Sequence, residues 1–196
     1  MKKGCILCLL ISVISLPLIA QNIIYSNLKE LLAQHGDTTA VLRVEKRSRN
    51  QIVLTGGADY RITAGDDELM CRRLKKRCFA VRDEKGDLYL NCRKLRYKKL
   101  RFGAWYAPAV QLGKNIYFCA MPLGSVIGGN FVEEDDVKLG GNIGDALAAS
   151  SLVTKRVCYE LNGETGKVDF LGKDKMLQLL ENYPELKQAY LKDDSQ

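Results

Sequence analysis

The sequence predicts an α+β fold: predominantly antiparallel β-sheet built from hairpins, with a short N-terminal helix, a small-residue helix and C-terminal helices. Three observations predict it. About eight short runs of alternating apolar residues recur between turn signals, most of them close enough in sequence to pair as hairpins. Helical periodicity is confined to the two ends of the chain and to one run of small residues. Hydrophobic residues make up 46% and charged residues 27% of the chain, which suits a folded globular protein and excludes a disordered one.

The first twenty residues read as a leader and not as part of the fold. Met1-Lys2-Lys3 is a basic start, Cys5 to Leu18 is apolar apart from Ser12, Ser15 and Pro17, and Ala20 is a small residue before Gln21. That is the layout of a secretory signal peptide over residues 1–20. The apolar stretch is short for a membrane span, which needs about 20 residues. An uncleaved N-terminal anchor is the rival reading. Cleavage would leave one globular domain, 21–196, and would lower the net charge from +7 to +5. It would also leave five cysteines: Cys71, Cys78, Cys92, Cys119 and Cys158. The odd count means that at least one stays free or pairs with another chain.

Asn27 to His35 predicts a short helix, with Asn27 as cap, Glu30 three residues on and Gly36 past its end. Leu28, Leu31 and Leu32 form its apolar stripe. Ala40 to Lys46 and Gln51 to Thr55 then predict two strands around a turn at Ser48-Arg49-Asn50, and Asp59 to Thr63 a further strand. Asp66 suits a helix cap before Leu69 and Met70. Arg77 to Arg82 and Leu88 to Arg93 predict a hairpin about Asp83-Glu84-Lys85-Gly86-Asp87, with Asp first and Gly fourth as a type I turn plus bulge requires. Its register opposes Arg82 to Leu88, Ala80 to Leu90 and Cys78 to Cys92. Cys78 and Cys92 are therefore a possible disulfide, the alternative being two reduced thiols on one sheet face.

Ile116 to Met121 predicts a buried strand. Residues 122–144 are glycine-rich, interrupted by the acidic run Glu133, Glu134, Asp135 and Asp136. Asp145 to Val153 predicts the small-residue helix; Gly140, Gly144 and Ala148 fall at a spacing of four and offer a face for close backbone approach. Arg156 to Leu161 and Lys167 to Leu171 predict the last hairpin. Met176, Leu179, Leu180, Tyr183, Leu186 and Tyr190 recur at helical spacing, with Pro184 as a break or kink.

Charge is unevenly distributed. Residues 71–101 hold thirteen Lys and Arg against Asp83, Glu84 and Asp87, a local net charge of +10. Arg93, Lys94, Arg96, Lys98, Lys99 and Arg101, with Trp105, are the candidate binding residues. A solvated sheet face, with Leu95 and Tyr97 inward and the basic residues outward, accounts for the pattern without a ligand. A binding reading takes an anionic envelope component (a phosphate-bearing lipid or acidic glycan) or a protein partner. Nucleic acid suits the basic and aromatic mixture, but an exported protein rarely meets it.

Catalytic signals are thin, and no catalytic residue, metal ligand or cofactor is assigned. Gly124-Ser125-Val126-Ile127-Gly128 has the wrong spacing for a nucleophile elbow. The same stretch lacks the Lys and Ser/Thr of a phosphate loop. His35 is the single histidine, which disfavours histidine-based metal sites and triads. The alternative to a binding domain is a hydrolase-type enzyme using the carboxylates of Glu133 to Asp136 beside the glycine-rich loop.

Several stretches together carry a resemblance: Leu88-Tyr89-Leu90-Asn91-Cys92-Arg93-Lys94-Leu95, Gly103 with Tyr106-Ala107, Gly128-Gly129, Thr165-Gly166-Lys167-Val168, and Leu179-Leu180 followed by Tyr183-Pro184 and Leu186. The chain resembles an uncharacterised family of small exported Bacteroidetes proteins with no assigned activity. The resemblance implies export into a Gram-negative envelope and no recognised catalytic site. The expectation is a periplasmic or envelope-associated protein, a non-catalytic binding or structural domain with a basic face.

Overall fold

The computed structural model describes residues 21–39, 41–55, 57–98, 100–121 and 156–192. The fold is α+β and the sheet is antiparallel throughout. Its main path runs β12 (Val168–Phe170), β11 (Val157–Leu161), β10 (Asn115–Ala120), β9 (Tyr106–Leu112), β6 (Leu88–Asn91), β5 (Ala80–Arg82), β1 (Asn22–Tyr25), β2 (Asp37–Thr39). Off this path β3 (Arg43–Lys46) pairs with β4 (Tyr60–Thr63), which meets β9 at Tyr60 and Tyr106. β7 (Arg96–Tyr97) and β8 (Leu100–Arg101) form a separate two-stranded sheet.

Two apolar clusters lie on opposite faces of this sheet. Consecutive strand residues point to opposite faces, and Tyr25, Ala80, Leu90 and Ala107 belong to one cluster while Ile24, Val81, Tyr89 and Tyr106 belong to the other. β6 is therefore buried at all four positions. The first face is covered by helix α1 (Leu28–Leu32) and filled by Phe102, Phe118 and Tyr159. The second is covered by helix α3 (Glu68–Lys76), through Leu74 and Met70, and by Ile62 of β4.

Local chemistry accounts for most elements. Asn27 caps α1 by accepting from the Glu30 N–H at 2.9 Å, and Glu30 reaches back to the Ser26 N–H at 2.7 Å. The helix ends on Gln34, whose φ of 52° is left-handed, so Gly36 is not its conformational stop. Gly36 is there for space, since a Cβ would lie 2.7 Å from the Ile24 carbonyl oxygen. Asp67, not Asp66, caps α3, accepting from the Met70 N–H at 2.9 Å.

The expected strand Gln51 to Thr55 is instead the end of helix α2 (Arg49–Thr55). Ser48 and Gln51 form a reciprocal capping box: the Ser48 N–H donates to Gln51 Oε1 at 2.9 Å and the Gln51 N–H to Ser48 Oγ at 3.3 Å. That local pair outweighs the strand preference of the short apolar run Ile52-Val53-Leu54. α2 then buries Ile52.

The hairpin register is as the turn residues dictate: Ala80 faces Leu90, Val81 faces Tyr89 and Arg82 faces Leu88. Asp83 Oδ1 accepts from the Lys85 and Asp87 N–H groups, and Gly86 takes a φ of 88°. The structure does not bring Cys78 and Cys92 together. Both are free and buried, in different clusters. The N–H groups of Arg77 and Cys78 both bond to the Arg73 carbonyl, so the chain is still leaving α3 at Cys78 and the strand alternation begins only at Ala80. Burial pushes the Cys78 thiol up to about 11 and the Cys92 thiol to about 12, keeping both protonated.

The last hairpin closes on Asn162, whose side-chain oxygen accepts from the Glu164 and Thr165 N–H groups. Its turn packs on the turn before β10. A Cβ on Gly163 would stand 1.9 Å from the Lys114 carbonyl oxygen, a contact that only backbone movement relieves. Gly163→Ala is expected to cost about 2 kcal/mol by overpacking. Thermal melting would register this as a fall of roughly 4–8 °C for a chain of this size, and an unchanged midpoint would refute the close approach.

The C-terminal periodicity divides at Pro184 into α4 (Lys173–Leu179) and α5 (Pro184–Lys192), with Pro184 opening the second helix. Neither helix buries a residue fully; Tyr183 and Leu186 are exposed. The glycine-rich stretch, Glu133 to Asp136, and the expected small-residue helix with Gly140, Gly144 and Ala148 all lie outside the described residues, as does the expected leader.

Candidate anion-binding hairpin

The basic residues are presented by a chain segment whose alternate side chains are anchored inward. Asn91 is almost wholly buried at the end of β6. Its amide nitrogen donates to the Leu74 and Cys78 carbonyls at 3.1 and 2.9 Å, and its oxygen accepts from the Arg93 N–H at 3.2 Å. This caps a 3₁₀ turn, Cys92–Lys94, that buries Cys92 and turns Arg93 and Lys94 outward. Leu95 and Phe102 are buried in the first cluster, on either side of the β7–β8 hairpin. Tyr97 packs edge-on against Phe170 of β12, their ring centres 4.7 Å apart. Phe102 meets Phe118 and Tyr159 at 5.3 and 4.7 Å.

Arg96, Lys98 and Arg101 consequently project to solvent. Arg96 and Arg101 are direct cross-strand partners, and Lys98 occupies the turn at a φ of 52° with its Nζ 5.1 Å from the Tyr97 ring centre. Lys99 lies outside the described residues. Among those described, several other basic residues of the segment have partners: Arg72 pairs with Glu68 at 3.6 Å, Arg73 with Asp37, and Arg82 donates to the Gly86 carbonyl at 2.9 Å. Arg93, Lys94, Arg96, Lys98 and Arg101 make no ion pair among the described residues.

Trp105 stands apart from the hairpin. Half-buried, at a φ of 75°, it carries two guanidinium groups over its ring, with Arg47 Cζ 5.0 Å and Arg61 Cζ 5.7 Å from the ring centre. Arg47 is a buried structural cation, donating to the Ala58 and Gln51 carbonyls at 2.7 and 2.9 Å. Burial lowers its pKa, and the nearby Asp59 carboxylate opposes that.

Trp105 and Arg93 line a small pocket with Lys75, Asn91, Ile62 and Tyr106. Of the sequence candidates, the structure therefore groups Arg96, Lys98 and Arg101 on the hairpin, Arg93 and Lys94 beside it, and Trp105 with Arg93 in the pocket. Lys75 and Arg61 were missed. Lys75 comes from α3 and Arg61 from β4, and a pass along the chain offers no reason to join them to Trp105.

Nothing in this arrangement supplies a nucleophile beside a base. Among the described residues no group of three or more His, Cys, Asp or Glu stands together to hold a metal ion. No helix among them is long and apolar enough to cross a membrane. What the hairpin offers is hydrogen-bond donors and positive charge. A family model described as "Family of unknown function (DUF6563)" matches residues 23–196. The chain belongs to this family. No curated protein and no solved structure matches it. Membership in DUF6563 assigns the chain no activity, so its chemistry is read from the residues above.

Proposed function

We propose that this DUF6563 chain is an exported, non-catalytic binding domain of the cell envelope, and that the basic hairpin takes a phosphate-bearing lipid surface. The observation that carries this reading is the opposition of Arg96 to Arg101. Like charges directly opposite on a two-stranded sheet destabilise it, and neither side chain has a carboxylate to offset the other among the described residues. A phosphate between them would accept from both guanidinium groups. Arg93, Lys94 and Lys98 add charge around it. The basic start and apolar stretch within residues 1–20 support export.

Vesicle co-sedimentation across a salt series tests this. The chain should bind vesicles containing an anionic phospholipid, ignore zwitterionic ones, and be released as the Debye length contracts from about 10 Å at 0.1 M to about 3 Å at 1 M salt. Equal binding to both vesicle types, or none at low salt, would overturn the proposal. Capture by an acidic glycan in place of the vesicles would transfer recognition to that polyanion.

A further inference from the structure

We propose that Cys119 and Cys158 are an oxidisable pair that closes to a cross-strand disulfide by exchange with a disulfide donor, either a small-molecule disulfide or another protein's. The inference is independent of the anion site. The two residues are direct partners in the β10–β11 register, and their sulfurs lie 3.0 Å apart. The Leu171 N–H donates to the Cys158 carbonyl at 2.9 Å, so the backbone polar groups of Cys158 face β12. Cys119 and Cys158 are therefore a non-hydrogen-bonded pair, the kind whose side chains approach most closely, with Cα atoms typically about 4.5 Å apart. That separation lies inside the range of natural disulfides.

Both thiols are half-buried, on the sheet face that also carries Tyr117 and Glu160. The other three described cysteines are placed differently. Cys78 and Cys92 are sealed in separate clusters, and the Cys71 sulfur sits near the Ala64 N–H and the Gly65 carbonyl, at 3.4 and 3.7 Å. The odd count thus resolves into one pair and three single thiols.

The two thiols are not equivalent. The hydrogen bond between the two sulfurs lowers the Cys158 thiol, against the opposing effect of burial. The same bond, followed by burial, raises Cys119. With Cys158 as the attacking thiolate, Cys119 is the resolving thiol. Cys158, having lost its proton to solvent, attacks one sulfur of the donor; the donor S–S bond breaks and the first thiolate leaves with the electron pair. Cys119 then gives up its proton and attacks Cys158 Sγ in the mixed disulfide. The second donor thiolate departs, and both leaving thiolates are protonated. Two protein thiols are oxidised to one disulfide, and the donor is reduced to two thiols.

The test treats the reduced full chain with oxidised glutathione, blocks remaining thiols by alkylation, and maps tryptic peptides without reduction. Peptides 115–138 and 157–167 should appear joined, with Cys71, Cys78 and Cys92 alkylated. The product closes a loop spanning 39 positions, so oxidation should raise the melting temperature on the order of 10 °C. A dithiol reductant should abolish the rise. In the reduced chain, alkylation of Cys158 should precede that of Cys119. Recovery of peptides 115–138 and 157–167 only as separate alkylated species, or a link from either to another cysteine, would overturn the pair. The wild-type readout suffices, so a poorly folded Cys158→Ser variant would not obscure it.

Discussion

Tyr159→Ala is expected to destabilise the protein by about 4 kcal/mol, within the range for large aromatic truncations in a core. The ring is fully buried on β11, with Phe102, Phe118 and Phe170 centred 4.7, 5.4 and 5.0 Å away. Each aromatic pair adds about 0.5–1.5 kcal/mol beyond the area buried. The loss reaches further than the cavity, because Phe102 follows directly on β8 and Phe170 carries Tyr97 of β7. The hydroxyl matters less. It donates to the Met121 carbonyl at 3.4 Å, a long bond, and Tyr159→Phe should cost about 1 kcal/mol or less. Urea unfolding of the three proteins checks the ordering. A Tyr159→Ala midpoint close to that of Tyr159→Phe would show that the aromatic cluster does not organise this face.

Arg101→Glu should move stability and binding in opposite directions. It turns an Arg96–Arg101 repulsion into an opposite-charge cross-strand pair, a gain of roughly 0.5 kcal/mol. Each basic residue near an anionic surface contributes about 1 kcal/mol, so reversing one charge should weaken vesicle binding by about 2 kcal/mol, roughly thirtyfold. The double reversal Arg96→Glu with Arg101→Glu restores like-charge opposition and removes binding further. A hairpin serving only as a solvated face would show the stability change without the binding loss.

The hairpin of β5 and β6 was legible in the sequence because its information is local. Asp83 supplies the acceptor that closes the turn and Gly86 the left-handed φ, and these two set the register of every residue behind them. The inward placement of Leu95 and outward placement of Arg96 were legible for the same reason, since alternation is a property of the strand itself. The helix Arg49–Thr55 was read as a turn and a strand, because the short apolar run Ile52-Val53-Leu54 suits a strand equally and the capping pair of Ser48 and Gln51 went unread. Cys78 shows a different limit. It sits two residues before the strand alternation starts at Ala80, so extending the hairpin pattern to it assigned the wrong face.

The sequence by itself determined the α+β class, the turn chemistry, the capped helix α1 and the concentration of positive charge in residues 71–101. These follow from interactions spanning a few residues, where side-chain chemistry and backbone preference decide the outcome. Only the tertiary structure decided that Arg47 and Arg61 lie over the Trp105 ring, that Lys75 joins Arg93 at a pocket, and that Cys119 faces Cys158 across 39 positions. Those juxtapositions depend on which strands pair and in what register. Long-range pairing is set by how two faces of one sheet bury their apolar residues together, and no single segment contains that information.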